Sequence, residues 1–173
     1  NEVGLKTRMF GGGLVGPQFA ALETQLGPML NGVVNYEFFV PDLSKQFPFL
    51  ESFLKKYQDR ATKEGVDPLG FYLPPYAYAM MQVLEQAITK VGSLDQEKLA
   101  AHIHKAEFDT FVGKVRFAKN GEWSKARMDW TQVHNAQPNN LEQFRDGSAQ
   151  PIVWRPEAKT GTLIYPYADA RKK

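Results

Sequence analysis

The chain has 173 residues, of which 43% are hydrophobic, 13% aromatic and 23% charged, and its net charge is +2 with both signs interleaved. That balance argues against a dedicated nucleic-acid binder, which needs a basic face to displace counterions from phosphate, and the one basic run is Arg171, Lys172 and Lys173 at the end. Cysteine is absent, which excludes disulfides, thiolate metal sites and cysteine nucleophiles, and no apolar run is long enough to span a bilayer.

Residues 5–10 alternate apolar and polar, so a half-buried strand is expected there. Glycines crowd residues 11–16, and Pro17 suits the first position of a short helix carrying Phe19, Leu22 and Leu26 and ending at Gly27. Residues 32–40 are rich in valine and aromatics and predict a second strand, stopped by Pro41 and Asp42. Phe47, Leu50, Phe53, Leu54, Tyr57 and Ala61 keep helical spacing up to Gly65. A loop with Pro68, Pro74 and Pro75 leads into the strongest helical pattern: Tyr76, Met80, Val83, Leu84, Ala87, Ile88 and Val91. That helix is expected to be the best-buried element, with Leu84 in its core. Ser93 and Gln96 have capping-box spacing and open a further helix through Leu99 and Ile103. Beyond Phe108 the pattern changes to strands. Asn120-Gly121 predicts a hairpin turn, and residues 129–136, 150–154 and 162–165 are further strand candidates. The order fits an α/β fold with an antiparallel tail.

Residues 11–16 match G-x-G-x-x-G between a strand and a helix, with Glu37 and Asp42 downstream, a nominal dinucleotide fingerprint. Pro17 sets the helix start beyond Gly16, and Lys6 and Arg8 do not suit a central parallel strand, so no cofactor is assigned and a connecting loop is the competing reading. On a helix, His102 and His104 point about 200° apart and cannot grip one metal. No catalytic or metal site is assigned. Tyr36, Phe38 and Phe39 cluster at a strand end, and Phe71, Tyr72 and Tyr76 surround the proline loop. Such rings wall small-molecule clefts, with core packing the alternative for any one of them.

Several stretches in order resemble the type I periplasmic binding proteins of the leucine/isoleucine/valine importer family. They are Asp67-Pro68-Leu69-Gly70-Phe71-Tyr72, the helix from Tyr76 to Ile88, Gly92-Ser93-Leu94-Asp95, and Thr110-Phe111-Val112-Gly113 with Asn120-Gly121-Glu122-Trp123. Asn140-Leu141-Glu142-Gln143-Phe144 followed by Gly161-Thr162-Leu163-Ile164-Tyr165 resembles the ending of one subgroup.

The resemblance implies two Rossmann-like lobes with ligand held between them, here as an incomplete C-terminal portion. Residues 1–40 would end the C-terminal lobe's sheet, 41–126 would form part of the N-terminal lobe, and 127–173 would return to the C-terminal lobe. It further implies a periplasmic protein, not an enzyme, that captures a small-molecule ligand and delivers it to the permease subunits of an ABC importer. Asn1-Glu2-Val3-Gly4 reads as the middle of a longer protein, whose missing half would hold the signal peptide. By order, Gly12, Gly13 and Leu14, with Tyr36 and Phe38, would face the ligand from one lobe, and Phe71, Tyr72 and Tyr76 from the other. Relatives that bind α-amino acids are similar in having an acid in the first loop. This loop is uncharged, which favours an aromatic carboxylate over an amino acid unless Glu37 supplies the charge. A ligand-sensing regulator of the same fold and a dinucleotide-dependent oxidoreductase fragment are the alternatives.

Overall fold

The computed structural model describes residues 6–37, 39–41, 48–125 and 128–172. Its main sheet has four strands in the order β1 (Phe10–Gly12), β2 (Val33–Glu37), β5 (Asp129–Gln132) and β6 (Ile152–Trp154). β1 lies parallel to β2, with Phe10 opposite Val33 and Gly12 opposite Asn35. A parallel pair needs a crossover, and α1 (Ala20–Leu26) lies within it. β5 and β6 add antiparallel neighbours, with Glu37 opposite Asp129 and Trp130 opposite Trp154. The sheet therefore joins the first forty residues to the last forty-five or so of the chain, whatever lies between.

Between them come α2 (Pro48–Glu64), α3 (Pro74–Val91), α4 (Gln96–Ile103) and a two-stranded hairpin, β3 (Glu107–Thr110) with β4 (Gly113–Arg116). Two short helices, α5 (Glu142–Arg145) and α6 (Tyr167–Ala170), complete the chain. Three cores hold it together. Ala20, Leu30, Val33, Leu69, Val133 and Phe144 form one, on α1 and β2. Phe39, Val40, Leu50, Leu54, Ile152 and Ala158 form the second, so α2 packs on the main sheet. Val83, Ala87, Leu99, Phe108 and Val115 form the third, within α3, α4 and the hairpin alone.

Several expectations change. The first strand is not residues 5–10: residues 6–9 lie outside any strand, and pairing begins at Phe10 and runs into the glycines. Gly11 explains this. It pairs with Val34 at φ +153°, and a Cβ there would overlap the Val34 carbonyl oxygen. The glycines thus serve close strand pairing. α4 is capped by Asp95, whose side chain accepts from the Lys98 N–H at 2.9 Å, while Ser93 accepts from the Asp95 N–H at 3.1 Å. The carboxylate nearer the helix takes the cap. The hairpin with a regular ladder turns at Phe111-Val112, and Asn120-Gly121 closes only the single bridge between Phe117 and Trp123.

Residues 162–165 make no strand. The Gln132 side chain holds this segment instead, accepting from the Ile164 N–H at 2.8 Å and donating to its carbonyl at 3.1 Å. That one amide side chain satisfies the backbone groups a neighbouring strand would otherwise take.

Helix α3 is not the best-buried element. It buries Pro75, Ala79, Val83 and Ala87, whereas Leu84 is 37% and Met80 65% exposed. The small residues at i, i+4 and i+8 face the third core, so Met80 and Leu84, one position on, are turned outward, while Ile88 stays half-buried against that core. Leu84→Ala is therefore expected to cost less than about 1 kcal/mol. Val83→Ala should cost about 2 kcal/mol, at ~0.8 per buried methylene. Urea melts of the two variants check this ordering.

Candidate functional site

Because β1 and β2 are parallel, their C-terminal ends open at the same edge of the sheet. Ligands of open α/β sheets bind in the crevice outside those ends. The chain leaves β1 there through Gly12, Gly13 and Leu14, and leaves β2 after Tyr36 and Glu37. The two exits touch. A Cβ on Gly13 would lie 2.6 Å from Cε1 of the Tyr36 ring, so the absent side chain is what lets backbone and ring meet. Tyr36 stands edge-on to Trp130 at 6.4 Å. Among the described residues, nothing lies within 4 Å of a Cβ built on Gly12.

The loop is held from beneath. Asn35 accepts from the Leu14 N–H at 2.8 Å and donates to the Leu14 carbonyl at 2.9 Å. The same amide donates to Glu37 at 3.1 Å, and the Gln18 amide donates to the other Glu37 oxygen at 2.9 Å. Val33, Asn35 and Glu37 thus face inward, and Tyr36 lies on the opposite face with the loop wrapped between. Behind this group, Glu23 accepts from Gln150 at 3.1 Å. Burial first, then the charge of Glu37, pushes Glu23 up to about 8. Burial likewise raises Glu37 to about 8, against the pull of the Gln18 and Asn35 hydrogen bonds. Both carboxyls are accordingly largely protonated at neutral pH.

Asp67 ties in the proline loop. It accepts from the N–H groups of Ala20 at 2.9 Å, Leu69 at 3.2 Å and Gly70 at 2.9 Å. This links the start of α1 to the segment carrying Phe71 and Tyr72. Phe71 packs against both the first and second cores, 5.2 Å from Phe39, and Leu14 packs against the first. Tyr72 meets Phe19 edge-on at 5.6 Å. Tyr76 lies half-buried in the first turn of α3.

Of the residues singled out from sequence, Gly12, Gly13, Leu14 and Tyr36 come together at the strand ends. Phe71 reaches them through a shared core, Tyr72 sits on Phe19 beyond the loop, and Phe38 lies outside the described residues. Phe39 is a core residue, 5% exposed. Sequence reading missed Gln18, Asn35, Asp67 and Gln150. The usable signal was Asn35 and Glu37 alternating with valine and tyrosine inside a strand, since a polar residue on a buried strand face needs partners.

The nominal dinucleotide fingerprint, to which no cofactor is assigned, differs from a phosphate cradle in one respect. Gly11 and Gly12 belong to β1, and α1 begins only at Ala20, behind a 3-10 turn at Gly16–Gln18. Among the described residues, no three His, Asp or Glu could hold a metal ion. His102 packs edge-on to Phe108 at 6.0 Å, and Nε2 of His134 lies 2.8 Å from the Gln132 side chain. No helix among the described residues is long and apolar enough to cross a membrane.

This architecture, a mixed sheet with a glycine loop at its C-terminal edge, is part of a type I periplasmic-binding-protein fold. It aligns with the solved structure of an ABC-type branched-chain amino acid transporter protein from Rhodopseudomonas palustris at a TM-score of 0.52 and 24% identity, over 79% of this chain and 37% of that one. The chain belongs to the periplasmic binding protein family, whose profile matches residues 1–137. Curated relatives agree. The "Leu/Ile/Val-binding protein homolog 1" of Brucella suis and that of Brucella melitensis are each 31% identical over 123 residues, covering 70% of this chain. The chain spans 30% of those relatives' length.

Proposed function

We propose that this chain is part of an extracytoplasmic solute-binding protein of the branched-chain amino-acid transporter type. It holds a small ligand in a cleft between two lobes and presents it to the permease of an ABC importer. The observation that carries this reading is the meeting of the Gly12–Leu14 loop with Tyr36 at the C-terminal ends of two parallel strands. The main sheet, with residues from both ends of the chain, serves as one lobe. The α3–α4–hairpin unit, with a core of its own, belongs to the other. Ligand bridges the lobes and shifts their population toward a closed form.

The ligand is a small aromatic carboxylate. The loop offers backbone groups and no side-chain charge, and Tyr36 supplies a flat wall. Glu37, the acid that the sequence offered as an ammonium partner, has both oxygens engaged by Gln18 and Asn35, and burial raises it to about 8. A buried ammonium left without a counter-charge would be costly. The names of the relatives favour a second reading, a branched-chain amino acid.

A thermal-shift screen of the full-length gene product separates them. Benzoate- and cinnamate-like acids are expected to raise the melting temperature, since a ligand at 100 times its Kd stabilises by about 2.7 kcal/mol. Shifts with leucine, isoleucine or valine and none with the aromatic acids would select the amino-acid reading.

A further inference from the structure

The terminal run is the chain's one basic cluster in sequence, and Arg171 and Lys172 are exposed in it. A second group of cations, scattered in sequence, converges beside the β3–β4 hairpin. Lys114, Arg116, Lys119 and Lys125 line one hollow of about 930 Å³, with Glu107 its one carboxylate. Four cations thus line the hollow beside one lining carboxylate. Lys114 is neutralised locally, 2.9 Å from Glu107 and 3.1 Å from Asp109. Arg116, Lys119 and Lys125 make no ion pair with any described residue and are exposed.

The hollow has a fixed frame. Phe117 bridges Trp123, Ala118 donates to the Glu122 carbonyl at 2.8 Å, and Ser124 donates to the Arg116 carbonyl at 2.8 Å. Phe117 and Trp123 also pack on the third core, so their rings form an apolar floor under the cations. An apolar floor lowers the local dielectric and strengthens attraction to an anion placed above it. His104, at the end of α4, closes one side with a further nitrogen. Like charges lining one hollow repel each other, and a bound anion relieves that cost.

We propose that this hollow is a binding site for a small, dissolved, multiply charged oxyanion of the polyphosphate or polycarboxylate class. It is distinct from the strand-end site, which lies on the other sheet, and it does not depend on the transport reading. Concavity and molecular-scale volume favour a dissolved anion over a flat charged surface.

The test is calorimetric titration of the full chain with inorganic pyrophosphate, at low and at physiological ionic strength. Saturable binding is expected, weakened about tenfold or more in Arg116→Gln/Lys119→Gln/Lys125→Gln. The control Lys55→Gln/Lys63→Gln/Lys90→Gln removes the same charge from exposed positions on α2 and α3 and should leave affinity nearly unchanged. Thermal melts should show both variants folded, and Arg116→Gln alone, expected to weaken binding severalfold, substitutes if the triple variant is not. Absence of saturable heat, or equal weakening by both triples, would overturn the site. Co-sedimentation with phosphatidylglycerol vesicles without pyrophosphate binding would also overturn it, in favour of a lipid headgroup.

Discussion

Replacing Arg155 with alanine is expected to lower the unfolding free energy by about 3–5 kcal/mol. Arg155 follows β6, and its Nε donates to Asp129 at 2.7 Å while a terminal nitrogen donates to the second carboxylate oxygen at 3.3 Å. Asp129, at the start of β5, is 1% exposed. Removing the guanidinium leaves that carboxylate buried without a partner, which costs far more than losing a surface pair. Arg155 also sits at φ +107°, a conformation that non-glycine residues rarely adopt. The paired variant Asp129→Asn/Arg155→Ala removes the orphaned charge and should recover part of the loss. Urea unfolding of the three proteins measures it. A loss below about 1 kcal/mol in Arg155→Ala would mean that Asp129 is reached by water.

The second large effect is of pH. Glu23 and Glu37 are both raised to about 8 in the folded chain, against 4.5 for the free side chain. Between those values the unfolded chain is ionised there while the folded chain holds its protons. The folded state binds more protons, so stability falls as pH rises through that window. Below 4.5 the contribution is fully present, and above 8 it is lost. The chain is expected to lose on the order of several kcal/mol between pH 5 and pH 9 from these two groups. The neighbouring charges are Asp67, which acts on Glu23, and Asp129, opposite Glu37 in the strand register and paired with Arg155. Glu37→Gln keeps an amide where a protonated carboxyl stood. It should flatten the pH dependence and leave the protein more stable than the parent at pH 9. Urea midpoints across the range test this, and identical slopes in parent and variant would contradict it.

Much of the fold was legible from periodicity. The stripe of Leu50, Leu54 and Ala61 in α2 is buried as its spacing requires, and Val33 to Glu37 is a strand as its composition suggests. Where the reading failed, a single side chain or a glycine had taken over a backbone role. Gln132 replaced a strand partner for residues 162–165, and Gly11 moved the first strand into the glycine run. In α3 the pattern gave the right helix and part of the buried face: Val83, Ala87, Ile88 and Val91 meet the third core, while Met80 and Leu84 turn outward because Ala79 and Val83 take the close contact.

The candidate site was legible only in part. Glycines and a tyrosine at strand ends carry their own signal. The Asn35, Gln18, Glu37 and Glu23 group does not, since its members pair across strand and helix and reach Gln150, 127 positions beyond Glu23. The basic hollow was hidden for a different, local reason. Its cations are spaced along residues 114–125 and meet only when the hairpin forms.

The measurement that bears most directly on the solute-binding account is calorimetric titration of the full-length gene product and its Gly13→Val variant, with the best ligand from the thermal screen. A valine at Gly13 would press on the Tyr36 ring and fill the junction of loop and strand. The account predicts saturable binding in the parent and a loss of about tenfold or more in the variant, with little change in its melt. Equal affinity in the two proteins would place the ligand elsewhere and contradict it.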